Sequence, residues 1–406
     1  MSTQTASSET RQGKLILVLN CGSSSIKFAL FDASQSPLPR TPAWNGKVQD
    51  IDGATPTYGE TGIAPAAVKL DASAPYHAAL ALIRDRVLQR LDGRQLAAVA
   101  HRVVHGGSKY FQPVRIDAAL LDDLKTYIPL APLHQPFALE AIEALLASDP
   151  SLPQIACFDT AFHHTLPAVE QRLPLPYATW DRGVRRYGFH GLSYEYMSVA
   201  LPERYGNLAL GKVIVAHLGS GASLCAMRNG ESVATTMGFS ALDGLMMGTR
   251  TGSIDPGVLL YLMEVEHMTP VQLGQMLYRK SGLLGVSGLS SEPRKLLAAE
   301  RDDGAVGERA RNALDLYVRR IVREVGALVA VLGGLDLLVF TAGVGEHSAE
   351  VRARICGDLG FLGPILDDAA NLNDAPVIST PSSPLMVGVE RTNEEWIAAA
   401  HAQRLT

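Results

Sequence analysis

The sequence predicts an α/β protein of two duplicated domains with a cleft between them, and three observations lead there. Its 406 residues are about twice the usual domain length. Strand-like and helix-like segments alternate along both halves, the pattern of layered α/β folds. A strand, a small polar tip and a return strand occur first at residues 15–31 and again at residues 213–227, which reads as an internal duplication.

Taken in order, Leu15 to Asn20 is a short apolar, β-branched run, residues 21–25 (CGSSS) are a Gly/Ser turn, and Ile26 to Phe31 resumes a strand. Ala97 to Val104 reads as a strand, Asp117 to Tyr127 and Pro136 to Ala147 as helices, and Gln154 to Phe158 as a strand ending at Asp159. In the second half, Val213 to Leu218, the turn 219–223 (GSGAS) and a return strand through Met227 repeat the hairpin, closed by Asn229 and Gly230. Val258 to Glu266, Val271 to Lys280 and Val306 to Leu332 have helical spacing of apolar residues. Asp336 to Thr341 is a strand running into a glycine turn (AGVGE), Leu385 to Val389 a strand, and Asn393 to Ala400 a last helix.

Composition narrows the class. Hydrophobic residues at 47% and charged residues at 19% describe an ordinary globular enzyme and exclude disorder. A net charge of -5 argues against nucleic acid or an anionic membrane as the main partner, because both reward a basic surface. Cys21, Cys157, Cys225 and Cys356 lie far apart with no C-x-x-C pair, as expected of reduced thiols. The first 13 residues are polar and lack the apolar stretch of a signal peptide, and no run approaches a membrane span, so a cytoplasmic location is expected.

Small residues at the two hairpin tips let backbone N–H groups approach an anion, so facing tips suit a nucleotide's phosphates; an ordinary tight turn is the plain alternative. Residues 206–213 (GNLALGKV) imitate a P-loop, but Val213 stands where a magnesium-binding hydroxyl is needed and the stretch precedes a strand, so that reading fails. Cationic runs at 101–105 (HRVVH), 185–190 (RRYGFH) and 247–250 (MGTR) supply the Arg and His groups that phosphoryl transfer needs, with solvated surface charge as the alternative. His101 and His105 are four apart and His163 and His164 adjacent, yet without an H-E-x-x-H or a matching carboxylate a zinc site is disfavoured.

Nine motifs together carry a resemblance: LNCGSSSIKF (19–28), HRVVHGG (101–107), APLH (131–134), FDTAFH (158–163), RRYGFHG (185–191), HLGSGAS (217–223), GLMMGTRTG (244–252), TAGVGE (341–346) and TNEE (392–395). In this order, end to end, they resemble the acetate kinase family of the actin-like, sugar-kinase-like ATPase superfamily. The resemblance implies duplicated ribonuclease-H-like domains, residues 1–160 and 161–389, with a helix at about 390–406 returning to the first. It implies reversible transfer of the γ-phosphoryl group of ATP to acetate or another short carboxylate, with ATP/ADP and magnesium (manganese substituting), and a homodimer. It places Asn20 and Glu394 near the metal, and Lys27, the turn His217, Leu218, Gly219, Ser220 and Gly221, and Glu292, Pro293 and Arg294 around ATP. Gly343, Val344, Gly345, Glu346 and His347 complete the nucleotide site. Arg102 would bind the substrate carboxylate, with Val104, Leu133, Phe189 and Ala241 about its methyl group, while His190, Arg250 and Asp159 complete the catalytic set.

A carboxylate is already ionised at pH 7 and needs no general base, so Asp159 is expected to orient Arg102 or a magnesium-bound water rather than take a proton. Four places depart from the family pattern: Ser220 for Asn, Ala241 for Pro, Leu192 and Tyr194 for Thr and His, and Ser253 for Asp. Ala241 predicts room for one more methylene, hence weaker discrimination against propionate. A propionate or butyrate kinase of the same family, a non-catalytic ATP-binding module and a sugar kinase are the competing readings. Clustered Arg favours an anionic acceptor over a sugar hydroxyl.

Overall fold

The computed structural model describes residues 13–132 and 134–406; Leu133 and the polar leader up to residue 12 lie outside the described residues. The described chain forms two compact units. One runs to Ala161 and takes in Asn393–Thr406, and the other spans Phe162–Thr392.

In the first unit, β1 (Lys14–Cys21) and β2 (Ser25–Asp32) pair antiparallel as the expected hairpin. Residues 15–19 are buried without alternation, as in a strand covered on both faces. β3 (Trp44–Gln49), β4 (Thr57–Glu60) and β5 (Ile63–Ala67) extend the sheet antiparallel beyond β2. β6 (Gln95–Val103) lies parallel to β1, followed by β7 (Val114–Arg115) and by β8 (Gln154–Phe158) parallel to β6. The order is β5-β4-β3-β2-β1-β6-β8-β7.

The second unit repeats the plan. β9 (Val213–Leu218), β10 (Ala222–Arg228) and β11 (Glu231–Thr235) form an antiparallel meander. β12 (Leu337–Thr341) and β13 (Met386–Val389) are added parallel to β9, giving the order β11-β10-β9-β12-β13. Read from its own first strand, each sheet runs 3-2-1-4-5, with β3-β2-β1-β6-β8 matching β11-β10-β9-β12-β13. This is the duplicated actin-like arrangement. The 28-residue helix Ala305–Leu332 buries Ala310, Leu314, Tyr317, Ile321, Val325, Leu328 and Leu332, one stripe at helical spacing, and ends at Gly333 in the left-handed region (φ 68°).

Three departures from the sequence reading have local causes. β3, β4 and β5 contain Gly46, Gly59 and Pro65, residues that weaken any strand signal. Asn229 (φ 53°) and Gly230 (φ 75°) close the second hairpin as expected, but they lead directly into a third strand, β11, because paired positive-φ residues make a tight hairpin turn. The glycine turn after β12 is instead a short helix, Ala342–His347, whose glycines concealed its periodicity.

Candidate active site

In the first unit the chemistry gathers at the C-terminal ends of neighbouring parallel strands, where open α/β sheets place their ligands. Asn20 is near the end of β1, Arg102 near the end of β6, and Asp159 follows β8. The Asp159 backbone N–H donates to the Val103 carbonyl (3.1 Å), fixing the aspartate beside β6. Arg102 Nε donates to Asp159 Oδ1 at 2.9 Å and Nη2 donates to Oδ2, a two-bond fork. Arg102 Nη1 donates to Asn20 Oδ1 at 3.0 Å. These bonds use three of the five guanidinium N–H groups and leave two for a substrate anion.

Glu394 reaches the same cluster from the other end of the chain. It opens the helix Glu394–Leu405, whose N-cap Asn393 accepts from the Trp396 N–H at 3.1 Å. Its Oε2 lies 3.9 Å from Arg102 Nε. Burial, reinforced by Asp159 and Glu395 and opposed by Arg102 and Lys27, pushes its carboxyl up to about 7. Burial works against the Arg102 charge, but Asp159 and Glu394 outweigh it and hold the guanidinium above its ordinary value. Lys27 stands across from Asn20 in the β1–β2 ladder and is exposed, lining a groove of about 440 Å³ with Lys47, Glu60 and Glu395. Val104 is buried just past β6.

In the second unit, His190 sits at the N-cap of the helix Gly191–Tyr205 in the left-handed region (φ 59°), a strained position for a non-glycine residue. Its ring stacks on His217, at the end of β9, with centroids 4.1 Å apart and planes 13° apart. Serines engage both rings: His190 Nδ1 is 2.8 Å from Ser223 Oγ, and His217 Nδ1 is 2.9 Å from Ser193 Oγ. A Cβ placed on Gly221 would lie 3.1 Å from His190 Nε2 and 3.6 Å from Arg250 Nη1. The 217–221 turn therefore runs close against the His190 and Arg250 side chains, and a side chain at 221 would crowd His190. Arg250 is steadied by donating from Nη1 to the Ala241 carbonyl at 3.0 Å. Phe189 is buried, and its carbonyl lies 2.9 Å from His163 Nε2.

The parallel ladder pairs Thr341 with His217, so the helix Ala342–His347 starts beside the 217–221 turn. Gly343 is exposed there and Val344 half-buried. Glu346 is turned inward: its Oε1 accepts from the backbone N–H of Ala342 (2.9 Å) and of Thr392 (3.1 Å), which holds the helix start rather than facing outward. Arg352, fully buried, donates to the carbonyls of Gly345 and Glu346 (both 2.9 Å) and pairs with Asp374. His347 is exposed. Glu292, Pro293 and Arg294 begin the helix Pro293–Ala299, where Glu292 pairs with Lys295 and Arg294 is exposed. Ser220 is exposed at the tip of the turn, and Leu218 is buried in β9.

Ser193 and Arg352 were not anticipated, and Ser223 and Thr392 were noted only as members of the motifs 217–223 and 392–395. A lone serine in an apolar strand and an arginine in a helix have no signature without their spatial partners. Of the histidines in the 101–105 run, His101 Nε2 is bonded to Gln154 and His105 Nδ1 accepts from the Gly107 N–H at 2.8 Å. Lys212, from the P-loop look-alike, donates to the Gly333 carbonyl at 2.6 Å, just ahead of β9. Ser253 Oγ donates to Asp243 at 2.6 Å, a place where a second carboxylate would meet like charge.

Known proteins share this architecture over nearly its full length. An acetate kinase of Rhodopseudomonas palustris is 48% identical over 407 aligned residues, covering 96% of this chain and 98% of that protein. One of Nitrobacter hamburgensis is 46% identical, covering 96% of each. A solved propionate kinase from Francisella tularensis superposes with TM-score 0.85 at 35% identity, covering 96% of this chain and 98% of that one. The Porphyromonas gingivalis acetate kinase structure gives 0.83 at 36%, covering 97% and 99%. The model of the acetokinase family matches residues 15–400, and this chain belongs to that family.

Proposed function

We propose that the protein is an acetate kinase, transferring the γ-phosphoryl group of ATP to acetate in a reversible in-line reaction. Membership of the acetokinase family supports the reaction class. The observation that carries the site assignment is Arg102, held on one side by Asp159 and Asn20 with two N–H groups left over. That is a preorganised receptor for a carboxylate. The acetate oxygen attacks the γ-phosphorus as the bond to the β-phosphate bridging oxygen breaks, and ADP leaves. No proton need be removed from acetate, so Asp159 acts by fixing the guanidinium.

His190 and Arg250, flanking the 217–221 turn, meet the charge that develops on the equatorial oxygens. Lys27, the 217–221 turn, Glu292 to Arg294 and residues 343–347 bind the nucleotide, Glu346 doing so indirectly by holding the helix start. The resemblance to the acetate kinase family assigns Val104, Leu133, Phe189 and Ala241 to the methyl group.

Asn20 and Glu394 suit magnesium or manganese. Such ions take one or two protein oxygens and complete their shell with phosphates and water, and a buried carboxyl pushed up to about 7 is one short of positive charge. Asn20 and Glu394 would hold such an ion, which would supply positive charge toward the phosphates.

We place the enzyme in the cytoplasm, where ATP is supplied, and assign it a homodimer. The dimer is supported by the helix Pro256–Glu264, an apolar segment with no buried residue, where Leu260 and Tyr261 are 53% and 52% exposed. Trapping acyl phosphate as hydroxamate with magnesium, ATP and either acetate, propionate or butyrate tests the function. Acetate should react best, and no product with any of the three would refute it.

A further inference from the structure

Tyr194 is fully buried on the helix Gly191–Tyr205, one turn beyond His190. Its hydroxyl lies 2.5 Å from Ser223 Oγ, which lies 2.8 Å from His190 Nδ1. Ser223, on β10, is itself fully buried. The three residues form a chain of hydrogen bonds running from the interior to the imidazole. The Nε2 edge of that imidazole borders Gly221 and Arg250, where the transferring phosphoryl group is assigned.

The chain has a direction. A phenol is a stronger donor and a weaker acceptor than an aliphatic hydroxyl, so Tyr194 donates to Ser223 and Ser223 donates a hydrogen bond to Nδ1. With Nδ1 accepting, the neutral imidazole carries its hydrogen on Nε2. That tautomer presents a donor to phosphoryl oxygens, whereas the other presents a lone pair and repels them. Stacking on His217 fixes the plane of the ring, so orientation and tautomer are set by separate neighbours.

We propose that Tyr194 is a positioning residue which, through Ser223, holds His190 as the Nε2–H tautomer aimed at the transferring phosphoryl group. The catalytic consequence rests on the phosphotransfer reading; the tautomer itself does not.

The experiment reads the histidine ring nitrogens of the full-length resting enzyme by nitrogen-15 NMR, with His190 assigned by its loss in His190→Gln. The wild type should show Nδ1 unprotonated and Nε2 protonated. Tyr194→Phe should mix the two forms and lower kcat about tenfold, with the KM values for acetate and ATP within about twofold. Ser223→Ala should also mix them, and Ser223→Thr, which keeps a hydroxyl, should restore the wild-type pattern. These two substitutions test the Ser223 link, on which the role of Tyr194 depends, even if Tyr194→Phe does not fold. Retention of a pure Nε2–H pattern in Tyr194→Phe would overturn the role of Tyr194, and its retention in Ser223→Ala would overturn the whole chain. Failure of the wild type to form any acyl phosphate would sink the phosphotransfer reading while leaving the tautomer measurement intact.

Discussion

Arg102 and Asp159 meet through two hydrogen bonds, with the aspartate side chain only 2% exposed and the guanidinium 21%. Neither charge is well hydrated, so each depends on the other. Arg102→Ala should lower stability by about 3–5 kcal/mol, visible in thermal or urea unfolding, because it strands a buried carboxylate. Asp159→Asn should reduce kcat/KM for acetate at least a hundredfold. A double-mutant cycle on the two positions should give a coupling of about 2 kcal/mol or more. Additive losses would mean that Asp159 does not act through Arg102.

Ala241 touches Arg250 through its carbonyl, a contact that proline retains. Ala241→Pro should therefore keep Arg250 in place while filling space beside the acyl group. One methylene is worth about 0.8 kcal/mol, so the ratio of kcat/KM for propionate to that for acetate should fall about fourfold. An unchanged ratio would remove Ala241 from the pocket.

His101, His105 and His163 are all buried, and burial pushes each down to about 4. An unfolded histidine titrates near 6.5. Between those values the unfolded chain binds protons that the native chain refuses, so stability is complete above about pH 6.5 and declines as pH falls toward 4. Each histidine contributes on the order of 3 kcal/mol to that decline. Urea unfolding of His101→Gln at pH 7 and pH 4.5 should show a smaller drop than wild type, and equal drops would contradict the assignment.

Leu260→Glu combined with Tyr261→Glu places two charges on the exposed apolar helix Pro256–Glu264. Sedimentation velocity should change from dimer to monomer while far-UV circular dichroism stays unchanged. A wild-type monomer would rule out the proposed assembly.

How far the sequence revealed this molecule depended on whether a feature is local. β1, β2, β9 and β10 were legible because each is an apolar run ending at a small polar tip, and the repetition exposed the duplication. Asn393 and Glu394 were legible as a helix start, since a capping amide before acidic residues is a local signal. Arg352 was not, because the fork that braces the Gly345 and Glu346 carbonyls is also held by Asn371 and Asp374, and nothing along the chain announces that meeting. Tyr194 was noticed only as a departure from pattern; its bond to Ser223 spans 29 residues and exists only once the helix lies against β10. β4 and the edge strand β5 were missed because their register comes from neighbours rather than from their own alternation.

The return of the last helix to the first unit also sets an order of events during synthesis. Ile397, Ala398, Ala399 and Ala402 are buried, and Trp396 and Gln403 donate to the carbonyls of Leu38, Ala33 and Gln35. Trp396 and Gln403 lie 358 and 370 residues beyond the carbonyls of Leu38 and Ala33 that they reach. The first unit must therefore wait, its sheet partly uncovered, while Phe162–Thr392 is synthesised, and the carboxylate of Glu394 joins Arg102 only after that. A chain interrupted before Glu394 would lack one of the carboxylates that face Arg102.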